Sequence, residues 1–547
     1  MKSHSRRFVG AGLAGLVLIA LAAVFAVSAT ITWNDGTGSW NVPANWNPNT
    51  LPGAVDDVVI TDGIAGPTAV ITHNTGTDTI HTLSNAETVV VNGGSSLAIS
   101  AGGTNTGTIQ AGGLSAGTLH LNGGTLTNTG GTLAAGDSGV VSLSGVTILN
   151  GTLTTSGSGV ITTPSGGAVQ NAATLNGVTI AAGSRFVGAD NSQTILLGTI
   201  TNNGTMALAS TGLAADFYLG GDVTLAGSGV MTLSNNLGNR IWGGANSRLT
   251  NSAGHRIEGA GQIGVNYIAI TNEGLIVANQ PTPLVIYPGS GGMINTGTLR
   301  AANGATLQLY SRNVDNTGGT IEAQSGSTVQ LVSGAVILNG TLTTSGSGVI
   351  TTPSGGAVQN AATLNGVTIA AGSRFVGADN SQTILLGTIT NNGTMALAST
   401  GLAADFYLGG DVTLAGSGVM TLSNNLGNRI WGGANSRLTN SAGHRIEGAG
   451  QIGVNYIAIT NEGLIVANQP TPLVIYPGSG GMINTGTLRA ANGATLQLYS
   501  RNVDNTGGTI EAQSGSTVQL VSGAVILNGT LTTSGSGVIT TPSGGAV

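Results

Sequence analysis

Apolar and polar residues alternate with a period of two through many short segments of this chain. In Thr306–Tyr310, the pattern predicts that Leu307 and Leu309 point inward and that Gln308 and Tyr310 point outward. The same alternation places six further apolar residues inward: Leu299, Ala301, Ile321, Ala323, Val329 and Leu331. Such segments predict short β-strands that each bury one side, separated by turns rich in Gly and Asn.

Asparagines recur in these turns at a nearly constant interval. Asn251, Asn272, Asn295, Asn316 and Asn339 follow one another at a spacing of about 22 residues, which is one coil of a parallel β-helix. The asparagines would stack as an internal or turn ladder. We therefore predict an all-β fold, a right-handed, single-stranded parallel β-helix (solenoid) of pectin-lyase-like architecture. One coil separates Leu299 from Ile321, so Arg300 is expected beside Glu322 on the outer surface, about 4.8 Å away.

A long cassette is repeated along the chain. Residues 148–336 (copy 1) recur without substitution as residues 337–525 (copy 2), and residues 526–547 begin a third, truncated copy. Residues 75–147 are expected to form the first coils. We expect each cassette to hold a whole number of coils, about eight, because a partial coil would turn the apolar side outward. About 20 coils would make a rod about 95 Å long.

Composition narrows the class of function. Only 7% of the residues are charged and 3% are aromatic, with 93 glycines and no cysteine. At 40% apolar residues the chain is too hydrophobic to be simply disordered, and helix-forming residues are scarce. A net charge of −6 gives no basic surface, so nucleic acid is not an expected partner. Without cysteine, disulfides and thiolate metal sites are excluded.

Residues 1–29 have the order of a secretory signal peptide. Lys2, Arg6 and Arg7 precede an uncharged apolar run that ends in small residues, and we expect cleavage after Ala29. The alternative is an uncleaved anchor, because about 20 apolar residues can span a bilayer. We expect an exported protein at the cell surface or outside the cell. Membrane contact would come only through this segment or a C-terminal anchor beyond Val547, which would associate it with the outer membrane.

Residues 30–74 contain Trp33, Trp40 and Trp46, followed by the pair Asp56 and Asp57. This order resembles the Trp-rich opening of β-helical passenger regions in bacterial autotransporter-type and haemagglutinin-type surface proteins. The resemblance covers only the start of the expected mature chain and implies an adhesin-like role. Physically, the indoles are predicted to cap the first coil, whose unpaired backbone edge would otherwise template aggregation. Two adjacent carboxylates are too few for calcium, so a turn is the simpler interpretation.

Residues 213–290 depart from the regular pattern and hold most of the cassette's unusual side chains. Aromatic and arginine side chains on exposed loops are typical of recognition. The candidate ligand-contact residues, each of which recurs at the equivalent position of copy 2, are Asp216, Tyr218, Arg240, Trp242, Arg248, His255, Arg256 and Tyr267. The alternative, which we favour, is that Phe217 and Trp242 fill the interior while the arginines make the surface soluble.

An enzyme is weighed because parallel β-helices include pectin lyases and hydrolases. Those sites need two or three neighbouring carboxylates, whereas Asp216, Asp222 and Glu258 are solitary. His255 has no second histidine at metal-binding spacing. We predict no catalysis, no cofactor and no metal.

The sequence therefore predicts an exported, repetitive β-solenoid that serves as a structural or adhesive rod at the cell surface. Host or environmental polysaccharides or surface proteins are its expected partners. The alternative is a secreted polysaccharide-binding or polysaccharide-degrading β-helix. A carboxylate cluster or an aromatic groove formed by residues 213–290 on one face would favour that alternative, whereas a uniform Thr, Ser and Asn surface would favour the rod.

Overall fold

The computed structural model describes residues 28–34, 36–61, 68–166, 171–355, 361–434 and 436–542. Most of the predicted signal segment and the last residues of the third copy lie outside these ranges. The described residues form short strands and one 3-10 helix, Pro43–Asn45. Their strands stack in parallel into a solenoid of about 21 turns, so the predicted all-β parallel β-helix is confirmed. One pairing among the described strands is antiparallel, between Thr30–Trp33 and Trp46–Asn47.

Apart from the first and last described coils, each coil contributes a strand to each of three faces, which we number in the order in which the chain reaches them. The strands named for each face run as far as the end of copy 1. Face 1 is formed by Thr30–Trp33, Asp57–Ile60, Thr82–Asn85, Gly102–Asn105, Thr125–Thr127, Thr147–Leu149, Ala173–Asn176, Asn239–Gly243, Gly261–Ile263, Leu284–Ile286, Thr306–Tyr310 and Thr328–Val332. Face 2 is formed by Gly38–Ser39, Val70–His73, Thr88–Val91, Thr108–Ala111, Thr132–Ala135, Thr152–Thr155, Thr179–Ile180, Arg248–Asn251, Ala269–Asn272, Met293–Asn295 and Asn313–Asp315. Face 3 is formed by Thr77–Ile80, Ser95–Ile99, Gly117–Asn122, Gly139–Ser144, Val160–Thr163, Arg185–Ala189, Thr205–Ala209, Val230–Leu233, Arg256–Gly259, Leu275–Ala278, Thr298–Ala301 and Thr320–Ala323.

Two long strands, Ser192–Asn202 and Ala215–Ala226, run across faces 1 and 2. The strands of copy 1 recur in copy 2 at the equivalent positions of the sequence, from Val336–Leu338 to Thr517–Val521. The third copy adds Val525–Leu527, Thr530–Thr533 and Val538–Thr540.

The predicted inward and outward positions are confirmed. Leu307 and Leu309 are buried in a continuous apolar core, whereas Gln308 between them is partly exposed. Arg300 pairs in register with Glu322, and its Nε lies 2.7 Å from Glu322 Oε2. The alternation therefore determined both the burial and the register of these coils.

The cassette does not hold a whole number of coils, so that expectation was wrong. Copy 1 begins with Thr147–Leu149 on face 1, but its counterpart Val336–Leu338 lies on face 2 and Val525–Leu527 lies on face 3. Each cassette is eight coils plus one strand, and successive copies advance by one face. The apolar side stays inward because all three faces share the same alternation, so whole strands can be added without a change of side.

A column of asparagine side chains runs inside the rod. In copy 1, Asn251 Nδ2 donates to Asn272 Oδ1 at 2.7 Å, and the series continues through Asn295 to Asn316 with distances of 2.7 and 2.6 Å. A separate column joins Asn85, Asn105 and Asn128. The predicted ladder is thus confirmed at these positions. It was wrong at Asn339, which has a φ of +57°, is exposed and donates to Thr317 Oγ1 instead.

His255 continues the asparagine column at a coil that has no asparagine in the column. Its Nδ1 lies 2.7 Å from Asn251 Oδ1 and its Nε2 lies 3.1 Å from Asn202 Nδ2. Burial lowers the pKa of His255 to about 4, so the ring is neutral at physiological pH. Because Asn251 uses its Nδ2 on Asn272, its Oδ1 must accept from His255, which places the proton on Nδ1.

Three indoles pack together at the first coil. The Trp46 ring lies 4.8 Å from that of Trp33 and 4.7 Å from that of Trp40, both edge-on, and Trp46 Nε1 donates to Trp40 O. Asp56 accepts from the backbone N–H groups of Ala29 and Gly53. The indoles are thus buried around the strand that opens the stack, while their role as a cap stays a prediction.

Candidate functional site

Three aromatic rings meet on the outer surface of face 1. Tyr218 and Trp242 occupy the same outward position in adjacent coils, and their ring centroids are 5.0 Å apart in an edge-on arrangement. Tyr267 contacts the other side of this pair, with its ring 5.7 Å from that of Trp242. Tyr267 is 49% exposed, so about half of its side chain faces solvent.

An ion pair supports this cluster from the neighbouring position. Arg240 Nε and Nη2 each donate to a different oxygen of Asp216 at 2.7 Å, and the guanidinium carbon lies 5.3 Å from the centroid of Trp242. Asp216 is only 1% exposed, and its hydrogen bonds raise the pKa of Arg240 above the ordinary value. A bidentate pair of this kind fixes the guanidinium over the indole. It also neutralises both charges, so the cluster carries little net field.

Tyr267 is held by a strained loop. Val265 and Asn266 both have positive φ, +48° and +62°, which is unfavourable for a β-branched residue. Arg312 Nη2, two coils further along, donates to Asn266 Oδ1 at 3.0 Å. Gly264 leaves the outward position of this coil without a side chain, and a Cβ there would collide with Tyr287 O. Tyr267 therefore supplies the ring that this coil would otherwise lack.

Two further tyrosines continue the column. Tyr287 directly follows the strand Leu284–Ile286 and Tyr310 ends the strand Thr306–Tyr310, and their rings are 5.7 Å apart. Together, Tyr218, Trp242, Tyr267, Tyr287 and Tyr310 form what we call the aromatic stripe of copy 1. Our site prediction omitted Tyr287 and Tyr310. The alternation of their strands predicts that both point outward, and they are one coil apart in the sequence, so they could have been found.

Copy 2 has the same stripe on a different face. Tyr407, Trp431 and Tyr456 repeat the geometry with centroid distances of 5.0 and 5.7 Å, and Tyr476 lies 5.6 Å from Tyr499. The two stripes include all eight tyrosines of the chain. By the register of the strands, the copy 2 stripe lies on face 2. Within the described residues, aromatic side chains that reach the surface are thus concentrated at these two places.

The expectation that Trp242 fills the interior was wrong, whereas Phe217 is buried as expected. Trp242 is one position past the inward Ile241, and parity puts it outside. Its Nε1 is shielded from solvent and has no partner among the described residues, and Trp431 repeats this. An unpaired buried donor costs about 1–3 kcal/mol.

Three of the candidate residues lie elsewhere. Arg248 is on face 2, where its Nη1 donates to Thr271 Oγ1 at 2.9 Å. Arg256 is on face 3 and pairs with Glu258. His255 is buried in the asparagine column, so it cannot contact a ligand from solvent. The structure brings together Asp216, Tyr218, Arg240, Trp242 and Tyr267 and separates the rest.

The acidic side chains mostly serve neighbouring coils. The N–H groups of Thr211 and Leu213 donate to Asp190, and these bonds hold the pKa of its carboxyl below the ordinary value. Within the described ranges, no three His, Cys, Asp or Glu side chains form a group that could hold a metal ion. Among the same residues, no helix has the length and apolarity needed to cross a membrane.

Comparisons with known proteins add little to this geometry. No protein-family model matches the sequence, and no curated protein matches it. Among solved structures, the hyper-glycosylated TibA fragment 55–350, glycosylated by TibC, aligns with 85% of this chain and all of its own at 12% identity. Its TM-score is 0.14, which is too low to support an argument about this protein.

Proposed function

We propose that this protein is an exported, rod-shaped, adhesin-like β-solenoid that binds extended neutral polysaccharide along its aromatic stripes. The observation that carries the proposal is the placement of all eight tyrosines and two tryptophans in two surface columns. Exposed aromatic side chains in contiguous patches mark binding surfaces.

The spacing of the rings favours a sugar chain as ligand. Adjacent coils are about 4.8 Å apart, close to the length that one pyranose unit adds to an extended β-linked chain. The C–H faces of pyranose rings stack on aromatic rings, and five successive coils would contact several sugar units. The stripe is an open surface column, which suits a polymer that passes over it rather than a small molecule that must be enclosed.

The charges favour a neutral chain. Arg240 is paired with Asp216, and the whole chain has a net charge of −6. An anionic polysaccharide would therefore find no free cationic field along Tyr218 and Trp242. Binding is expected to depend little on salt, because stacking rather than ion pairing supplies it.

The test is titration calorimetry of residues 30–547 with cellohexaose and chitohexaose, and with polygalacturonate as an anionic comparison. The double variant Tyr267→Ala/Tyr456→Ala is expected to bind at least about tenfold more weakly, whereas the Tyr→Phe pair keeps its rings and should retain affinity. Leu114→Ala is the control, because Leu114 is 96% exposed and lies outside both stripes. Tight binding of polygalacturonate alone, or equal affinity in the alanine variant, would contradict the proposal.

Catalysis has no specific observation in its favour, and a rod with no carbohydrate ligand is the remaining alternative. In that case the wild type would bind none of the three probes, and the stripes would need another explanation.

A further inference from the structure

The two stripes have identical sequences but point in different directions. Tyr218 and Trp242 lie on face 1, whereas Tyr407 and Trp431 lie on face 2. The cause is the extra strand in each cassette, which advances every feature of copy 2 by one face. In a three-sided solenoid one face is about 120° of rotation, and eight coils and a third displace the stripe by about 40 Å along the rod.

One straight glycan chain cannot use both stripes. A chain that follows face 1 from copy 1 into copy 2 passes the strands Arg374–Ala378, Thr394–Ala398 and Val419–Leu422. In these three strands the sole aromatic residue is Phe375, which is buried. To reach Trp431 the chain would have to leave face 1 and cross an edge of the rod.

We propose that the cassette repeat makes this protein a cross-linker, with each stripe holding a separate polysaccharide chain at a different angle around the rod. This inference rests on the proposed glycan binding. Because consecutive copies advance by one face, a further complete cassette would place a third stripe on face 3. An array of cassettes would then display sites on all sides of the rod, and multivalent capture would increase with copy number.

The experiment uses residues 30–547, with cellohexaose for stoichiometry and soluble hydroxyethyl cellulose for cross-linking. Wild type is expected to bind two equivalents of cellohexaose per chain and to raise the light scattering of the polymer, with a maximum at an intermediate protein-to-polymer ratio. Tyr267→Ala and Tyr456→Ala, each alone, are expected to bind one equivalent and to lose the scattering maximum. The matched control Leu114→Ala should behave as wild type.

The outcomes separate this inference from the proposed function. Two sites in wild type and one in each single variant, with cross-linking by wild type alone, is the expected result. If each single variant binds one equivalent but wild type binds only one or does not raise the scattering, cross-linking is refuted while glycan binding stands. If the single variants cross-link as well as wild type, the assignment of one chain to each stripe is refuted. If no form binds either probe, both proposals fail.

Discussion

Two columns of side chains run along this rod with opposite placement of polar and apolar groups. The inner column buries amides, Asn251 to Asn316, and the outer column leaves aromatic rings partly exposed, Tyr218 to Tyr310. Each buried amide is acceptable because the next coil offers the same group at hydrogen-bonding distance, and most keep their donors satisfied. The rings of the outer column are less buried than these amides. The inner column is therefore explained by folding, and the outer column requires a different explanation.

The inner column also depends on its neighbours far more than the outer column does. Asn272 accepts from Asn251 and donates to Asn295 Oδ1, with longer bonds to Gly274 O and Thr298 O. A change at one rung leaves groups unpaired in the rungs on both sides. A ring removed from the stripe leaves solvent in its place.

The largest effect is expected from Asn272→Asp. The carboxylate would have no donor toward Asn295 and would face two carbonyl oxygens in the core, so the coils around it should lose about 3–5 kcal/mol. Urea unfolding followed by circular dichroism should show an early transition, and amide exchange should locate it in these coils because solenoids unfold locally.

Asn339→Asp is the matched control for that substitution. Asn339 has the same spacing in the sequence but is exposed and outside the column. Its replacement should change stability by about 0.5 kcal/mol or less. Equal effects at Asn272 and Asn339 would show that the buried column does not depend on its amide donors.

Acid is expected to weaken the inner column next most strongly. Burial lowers the pKa of His255 and of His444 from 6.5 to about 4, so between these values the unfolded chain binds protons that the folded chain does not. The stability contributed by each neutral histidine is complete above pH 6.5 and falls as the pH drops to about 4, by about 3 kcal/mol per histidine.

Urea midpoints measured at pH 7, 5.5 and 4 test this prediction. A double His255→Gln/His444→Gln variant should have a flatter profile over this range. Carboxylates with lowered pKa, such as Asp190, are present in wild type and variant alike, so the difference between the two profiles reports on the histidines. A wild-type profile as flat as that of the variant would contradict the buried neutral rings.

The sequence predicted those features that follow the regular alternation of inward and outward residues. The inward leucines, the pairing of Arg300 with Glu322 and the ladder from Asn251 to Asn316 all follow from alternation and a nearly constant coil length. The prediction that Asn339 joins the ladder failed because its turn requires a positive φ, which rotates the side chain outward. The spacing of asparagines in the sequence does not show the value of φ. Such failures arise where local backbone conformation, rather than period, decides the outcome.

The site was predicted only in part, for two physical reasons. Ile241 and Trp242 are adjacent and both apolar, so the sequence did not show which of them points inward; the pairing with Ala215–Ala226 decides it. Tyr287 and Tyr310 lie in regular coils, where an unusual outward residue looks like ordinary surface. The one-face advance of the cassette could not be predicted, because the strands of all three faces have the same alternation of inward and outward residues.

The smallest effect is expected from Tyr267→Ala, and it decides what the outer column is for. Tyr267 is half exposed and its one ring contact among the described residues is with Trp242, a contact worth about 0.5–1.5 kcal/mol. Its loss should lower the free energy of unfolding by about 1 kcal/mol. Phe217→Ala, which removes a fully buried ring from the same cassette, should cost about 3–5 kcal/mol. Urea unfolding of both variants makes the comparison. If Tyr267→Ala were as costly as Phe217→Ala, packing would account for the stripe; a small cost together with a large loss of affinity would mean that the rings are placed outside to bind.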